Sequence, residues 1–466
     1  MAGSFFIATL GCPKNEVDSE KLGGLLRSAG YLETSEPGHA DLLVVNTCAF
    51  IEPAREESID VILELGALRR EGSRLAVTGC LAERSGRELA EALPEVDVVA
   101  GFGVDFLGEV AATPRAGGSS SQLGVPSSPV RLLGRGEVPS FDLLELPRPA
   151  ASAPWAYVKV AEGCDRRCGF CAIPSFRGRQ RSRTMASILS EVESLNVSEV
   201  ILVAQDLASF GRDRSGDRPR PDAADRRDGP SAVGGISSLV KAVSERAERV
   251  RLLYLYPSSL TDDLIETIAG TGVPYFDLSL QHVSGRLLRK MRRWGSGGRF
   301  LERIEHIRSV APGAALRSSF ILGYPGETEE DQDALLDFLS EAQLDWVGFF
   351  TFSREAGTYA ASLDCQVEPE LALERLRECS ELQEQITARR RRQLVGTSVS
   401  VLVDRTGVGR SFREAPEIDG IVRVPTQLEP GTFAKVLVTG AAGPDLVARP
   451  VSLTPADLND VGAGAS

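Results

Sequence analysis

The chain has 466 residues, too many for one ordinary domain, and its length points to about two or three. Its composition, 42% apolar and 25% charged with a net charge of −13, is that of a water-soluble globular protein. No apolar stretch approaches a membrane span, and the opening MAGSFFIATLG lacks the basic flank and the length of a signal peptide. Eight cysteines in such a chain read as metal ligands or thiols, not as a disulfide framework, so the expected compartment is the cytosol.

Residues 1–113 repeat a strand–helix rhythm. Apolar β-type runs fall at Ser4–Leu10, Asp41–Thr47, Arg74–Gly79 and Asp97–Ala100. Helical spacing fills about Val17–Ala29 and Pro53–Arg70, the second with Ile59, Ile62, Leu63 and Leu65 toward the core. Alternation of this kind predicts an α/β domain with a parallel sheet, whose ligands gather outside the carboxyl ends of the strands. Cys12, Cys48 and Cys80 each follow a strand end, at intervals of 36 and 32 residues that match one βα unit each. A three-thiolate cluster site is the favoured reading, with buried packing cysteines the alternative. This segment also holds most of the chain's excess acid, 9 Lys/Arg against 19 Asp/Glu. Such a surface repels a nucleic-acid backbone and attracts a basic protein.

Residues 114–150 form a linker and lead-in, rich in Gly, Ser and Pro over 114–130. The next domain, 151–392, opens with Cys164-Asp-Arg-Arg-Cys168-Gly-Phe-Cys171. Three thiolates with CxxxCxxC gaps can hold three irons of one [4Fe–4S] cube and leave the fourth iron open, whereas four-iron clusters normally take four protein thiolates. Structural zinc wants four ligands, and the only histidines, His39, His282 and His306, lie far from this loop. With Phe170 before the last cysteine, the run resembles the signature of radical S-adenosylmethionine enzymes. That resemblance implies that S-adenosylmethionine chelates the open iron and is split by one electron from the cluster to a hydrogen-abstracting radical, with an electron donor as a partner. Phe170 and Gln205 are the residues expected to contact the cofactor.

Six βα units follow, with strands expected at Ala156–Val160, Val200–Ala204, Val250–Tyr254, Phe276–Leu280, Ala315–Leu322 and Trp346–Phe352. Helices are expected at Met185–Leu195, Thr328–Ala342 and Pro369–Gln393. This predicts an open partial (βα)6 barrel with the cysteine loop at its mouth. Gln205, Asp206, Gln281, His282 and the Gly323–Glu327 turn are expected there too, His282 as a hydrogen-bonded structural residue. Residues 211–235 hold six Arg and five Asp with scarcely an apolar side chain, which reads as an unstructured insertion, or more speculatively as a lid. The Arg389–Arg392 run reads as a solvated helix end.

Residues 393–456 carry short β-type runs at Val399–Val403, Gly420–Val424 and Phe433–Val438, which predict a small OB-like β-barrel, with a tail at 457–466. Residues 393–466 hold 6 Arg/Lys against 8 Asp/Glu, so no basic footprint appears. The three segments together resemble the methylthiotransferases, with a terminal TRAM domain, and imply two [4Fe–4S] clusters on the six cysteines named above. Gly11–Asn15, Glu162–Cys168, Ala204–Asp206 and Ala415–Gly420 resemble the RimO branch, whose substrate is the β-carbon of an aspartate in the twelfth small-subunit ribosomal protein. Methylthiolation of a transfer-RNA adenosine is the nearer alternative. A non-catalytic iron–sulfur or RNA-binding protein is the further one. Cys365 and Cys379 match no motif of the family and read as ordinary thiols.

Overall fold

The computed structural model describes residues 3–101, 106–108, 143–214 and 235–451. The linker at 114–130, most of the polar insertion and the tail at 457–466 lie outside the described residues.

The N-terminal domain is a five-stranded, all-parallel sheet in the order Leu32–Glu33, Ser4–Thr9, Leu42–Thr47, Arg74–Gly79, Val98–Val99. The two central strands, LLVVNT and RLAVTG, are buried along their whole length, as strands covered on both faces by helices must be. Helices Pro13–Ser28, Glu52–Leu68 and Cys80–Ala92 supply that cover. In the second helix Ile62 and Leu65 reach the core, but Leu63, expected to do so, is 41% exposed. It lies one residue past Ile62, about 100° round the helix, and so turns off the buried stripe.

The second domain is an open barrel of six parallel strands. Trp155–Lys159, Glu199–Val203 and Arg249–Leu252 form one half, and Tyr275–Gln281, Ala315–Leu322 and Trp346–Thr351 the other. A single parallel bridge, Leu255 to Leu278, joins the halves. The start of the polar insertion is docked, contrary to its composition. Asp213 accepts from the Ser182 amide at 2.9 Å and Arg214 donates to the Ser182 carbonyl at 3.0 Å. Excising only residues 216–233 is therefore expected to change the unfolding free energy by roughly 1 kcal/mol or less, since loop-length costs grow slowly. A thermal melt checks this, and a large drop in Tm would show that the excised stretch docks as well.

His282 directly follows the carboxyl end of the Tyr275–Gln281 strand and is fully buried, and its Nδ1 accepts from the Val283 and Ser284 amides at 2.9 and 3.0 Å. Burial first, with Arg286 and Arg375 aiding against Asp331, depresses its pKa to about 4, and Glu327 faces its Nε2 at 3.7 Å. The unfolded chain therefore binds a proton that the folded chain refuses between about pH 6.5 and 4. The contribution of His282 itself to stability should fall as the pH drops through that window, by on the order of 3 kcal/mol, while Glu327, whose carboxyl burial pushes up to about 7, works in the opposite direction. His282→Asn keeps an acceptor for the two amides and should flatten that portion of the acid limb in denaturant titrations. An unchanged limb would assign the loss to other groups.

The terminal domain is a closed five-stranded barrel around Val401, Val403, Val422, Val436, Val438 and Leu446. Two of its strands, Val408–Arg410 and Asp445–Pro450, go beyond the runs expected from the sequence, and the expected Gly420–Val424 strand shrinks to Val422–Arg423. Its Arg410–Asp419 segment is stitched to residues at the strand starts of the open barrel. Arg410 and Arg251 share the buried Glu199 at 3.0 and 2.7 Å, Trp346 Nε1 donates to the Arg413 carbonyl at 2.7 Å, and Tyr275 donates to Asp419 at 2.6 Å. The arginine run is not a uniformly solvated helix end. Arg391 is buried against Glu414 and Trp346, and Arg390 pairs with Asp345 at 2.8 Å. Four consecutive helical residues point around the whole axis, so some must face the core.

Candidate active site

Strand register brings the N-terminal cysteines together. Thr9 lies opposite Asn46, and Thr47 opposite Gly79, so the three chains leave the sheet at one level. Cys48 and Cys80 follow immediately, and Cys12 comes after a turn at Gly11. Gly11 has φ +93°, and a Cβ there would stand 2.8 Å from the Cys48 sulfur, so a side chain would fill the space that the thiol needs. Asn15 ties the turn down, donating to the Leu10 and Thr47 carbonyls at 2.8 and 3.0 Å. Burial pushes the Cys48 thiol up to about 11 and raises Cys80 as well. Cys12 goes the other way, because Lys14 and Arg177 outweigh its burial.

The second trio hangs on the loop after the Trp155–Lys159 strand. Gly163, at φ +79°, opens the loop where any Cβ would collide with the Arg179 carbonyl. Gly169 is held on both sides, donating to the Met291 carbonyl at 2.8 Å and accepting from the Ala360 amide at 2.8 Å. The Arg166 amide donates to Cys164 Sγ at 3.4 Å, and Arg293 Nη1 to Cys168 Sγ at 3.3 Å. Burial raises the Cys164 thiol and pushes Cys171 up to about 12. A cavity of about 270 Å³ opens beside Cys168 and Cys171, lined also by Arg166, Arg167, Arg292 and Tyr359. Phe170 is half-buried and packs on the barrel core. Gln205 donates to Glu162 at 2.6 Å, while its own carbonyl oxygen is buried without a hydrogen bond. That orphaned acceptor is a place for a ligand donor.

The two cysteine loops meet across a buried ionic seam that the sequence did not reveal. Lys159 pairs with Asp18 and, at 2.6 Å, with Glu162; Arg177 pairs with Glu162 at 3.0 Å and Asp18 at 3.2 Å, and donates to Cys80 Sγ at 3.0 Å. Against the upward push of burial, Arg177 and Lys159 hold the Glu162 carboxylate well below its usual range. Glu355, near Cys171, receives Arg55 and Arg84 of the N-terminal domain, both at 2.5 Å. A signal for the seam existed: a lysine inside the apolar strand WAYVK is a charge that must find a buried partner. A second cavity, of about 350 Å³, lies beside Cys12 and is lined by Glu16, Tyr157, Glu417 and Ile418. Burial first, and then Glu417, push the Glu16 carboxyl up to about 7.

Three family models match the chain: the uncharacterized protein family UPF0004 over residues 4–101, the radical SAM superfamily over 158–339 and the TRAM domain over 395–451. Among curated relatives, the ribosomal protein uS12 methylthiotransferase RimO of Moorella thermoacetica is 42% identical, with 93% of this chain and 96% of the relative covered. The RimO proteins of Desulforudis audaxviator and Cutibacterium acnes are 40% and 38% identical over 97% and 96% of this chain, and 98% of each relative is covered. The chain belongs to the RimO methylthiotransferase family. It is thus a radical S-adenosylmethionine transferase, and the family implies a [4Fe–4S] cluster together with S-adenosylmethionine. Among solved structures, the radical S-adenosylmethionine methyltransferase TsrM of Kitasatospora setae aligns at a TM-score of 0.49 and 15% identity, covering 75% of this chain and 73% of that one.

The donor set of this chain fits such a cluster. Both trios offer soft thiolates with cationic or amide donors at the sulfurs and no ligating carboxylate, which suits iron–sulfur chemistry better than a hard cation. Among the described residues no three candidate ligands converge on one ion. No helix of the described residues is long and apolar enough to cross a membrane.

Proposed function

We propose that this chain methylthiolates the β-carbon of an aspartate in ribosomal protein uS12, using a radical cluster on Cys164, Cys168 and Cys171 and a second cluster on Cys12, Cys48 and Cys80. The observation that carries this reading is the meeting of the two cysteine trios across one seam, in a chain that matches RimO proteins over more than nine-tenths of its length. When bound, the cluster and S-adenosylmethionine supply one-electron, hydrogen-abstracting chemistry.

The chain's own residues do the rest. Gly163 and Gly169 fix the radical loop, Arg293 and the Arg166 amide place positive charge at its sulfurs, and Gln205 offers its free carbonyl oxygen to the bound cofactor. The second trio stands on the sheet edge that faces the same seam, so a substrate carbon presented there is close to both. Residues 1–113 then carry the second cluster, residues 151–392 carry the radical site, and the TRAM segment proposed at 393–456 packs through Arg410–Asp419 on the strand starts of the barrel. A cytoplasmic location and an electron-donor partner follow from that chemistry.

Charge favours the protein substrate over transfer RNA. The N-terminal segment is acidic and residues 393–466 hold 6 Arg/Lys against 8 Asp/Glu, so a basic polypeptide is drawn in and a phosphate backbone is repelled. Mass spectrometry of uS12 and of bulk transfer RNA from cells with and without this gene tests the assignment. Loss of the methylthio group from uS12 alone is expected; its loss from adenosine alone would move the chain to the transfer-RNA branch.

A further inference from the structure

Arg177 belongs to the loop of the radical cluster yet serves the other trio. It lies six residues after Cys171, at the end of the short Ile173–Phe176 helix, whose Phe176 is buried in the core of the N-terminal sheet. The Arg177 side chain is buried as well. Its Nη2 donates to Cys80 Sγ at 3.0 Å and to Asn15 Oδ1 at 2.7 Å, and its Nη1 spans Glu162 and Asp18 at 3.0 and 3.2 Å. Asn15 is the residue that ties down the Cys12 turn. One guanidinium thus touches a thiol of the N-terminal trio, the brace of a second, and the carboxylate two residues before Cys164.

We propose that Arg177 is the positioning residue of the N-terminal cluster: it orients the Cys80 thiolate and supplies the positive charge that the cluster needs, so that this site is complete only when the radical loop is docked. The proposal rests on the reading that Cys12, Cys48 and Cys80 hold a cluster. Three thiolates around an iron–sulfur cube carry net negative charge, and hydrogen bonds to the sulfurs are among the levers that set its potential. Outer groups that orient a ligand typically change metal affinity by about 10–100-fold when removed. Arginine suits the role better than lysine, since its planar fork can hold a sulfur and a carboxylate at once.

The test uses the full chain with Cys164, Cys168 and Cys171 all changed to Ala, so that iron reports on the N-terminal site alone. Arg177→Met in that background should retain iron about 10–100-fold less well against a chelator. Its cluster should also titrate at a more negative potential by electron paramagnetic resonance, and Arg177→Lys should recover some of both losses. Asp18→Asn loosens the same seam without touching the Arg177–Cys80 bond and should leave the potential near that of the parent. Unchanged retention and potential in Arg177→Met, or an equal shift in Asp18→Asn, would reduce Arg177 to a structural staple and overturn the proposal. If Arg177→Met fails to show a cooperative melt, Arg177→Lys carries the comparison, and parent-like values there would overturn it too. A parent that binds no iron, and that is unaffected by adding Cys80→Ala, would sink the cluster reading itself and the proposal with it.

Discussion

Changing Cys164, Cys168 or Cys171 to Ala is expected to abolish cleavage of S-adenosylmethionine and to lower bound iron by about one four-iron cluster per chain. The loop offers three thiolates and no spare. Of the remaining cysteines, Cys365 is exposed, Cys379 is buried against Gln332, and Cys12, Cys48 and Cys80 stand on the N-terminal sheet. Burial raises two of the three thiols, Cys164 and Cys171, so each must lose a proton to bind. With one ligand gone, the cube is held by two sulfurs, too few to fix its open iron toward the cofactor. The loop itself should persist, because Gly169 is held through its backbone and the Glu162–Arg177–Lys159 seam contains no cysteine of this trio. Iron analysis and chromatography of 5′-deoxyadenosine read both quantities. Parent-rate cleavage by any one variant would remove the radical assignment.

Changing Cys12, Cys48 and Cys80 together to Ala is expected to leave 5′-deoxyadenosine formation largely intact while stopping methylthiolation. The two trios sit on different elements, one on a sheet edge and one on a barrel loop, so losing the first need not displace the second. Arg177 would lose its sulfur partner but keep Glu162 and Asp18, and the radical loop stays braced. Full methylthiolation by the triple variant would make these cysteines packing residues.

Most of this was legible in the sequence because it is periodic. A buried parallel strand is a short unbroken apolar run, and LLVVNT and RLAVTG are two clear cases. Cysteines just after such runs must come to one edge, since parallel strands share a direction. The ionic seam was legible only as a demand, the Lys159 charge inside WAYVK, and not in its partners: Asp18, Glu162 and Arg177 meet it only when the N-terminal sheet packs on the barrel. The short strands Val408–Arg410 and Asp445–Pro450 were missed because so few residues carry little periodic signal. The docked start of the polar insertion was hidden for a related reason, since Asp213 and Arg214 find their partner, Ser182, 31 and 32 residues back.

The proposed pair of cluster sites and its ribosomal substrate can be tested together in a single reaction. The reconstituted, reduced enzyme is incubated anaerobically with S-adenosylmethionine and sulfide, in parallel with purified uS12 and with bulk transfer RNA, and both products are weighed by mass spectrometry. One methylthio group on a uS12 aspartate, with the transfer RNA unchanged, is the expected result. Methylthiolated adenosine with unmodified uS12 would contradict it.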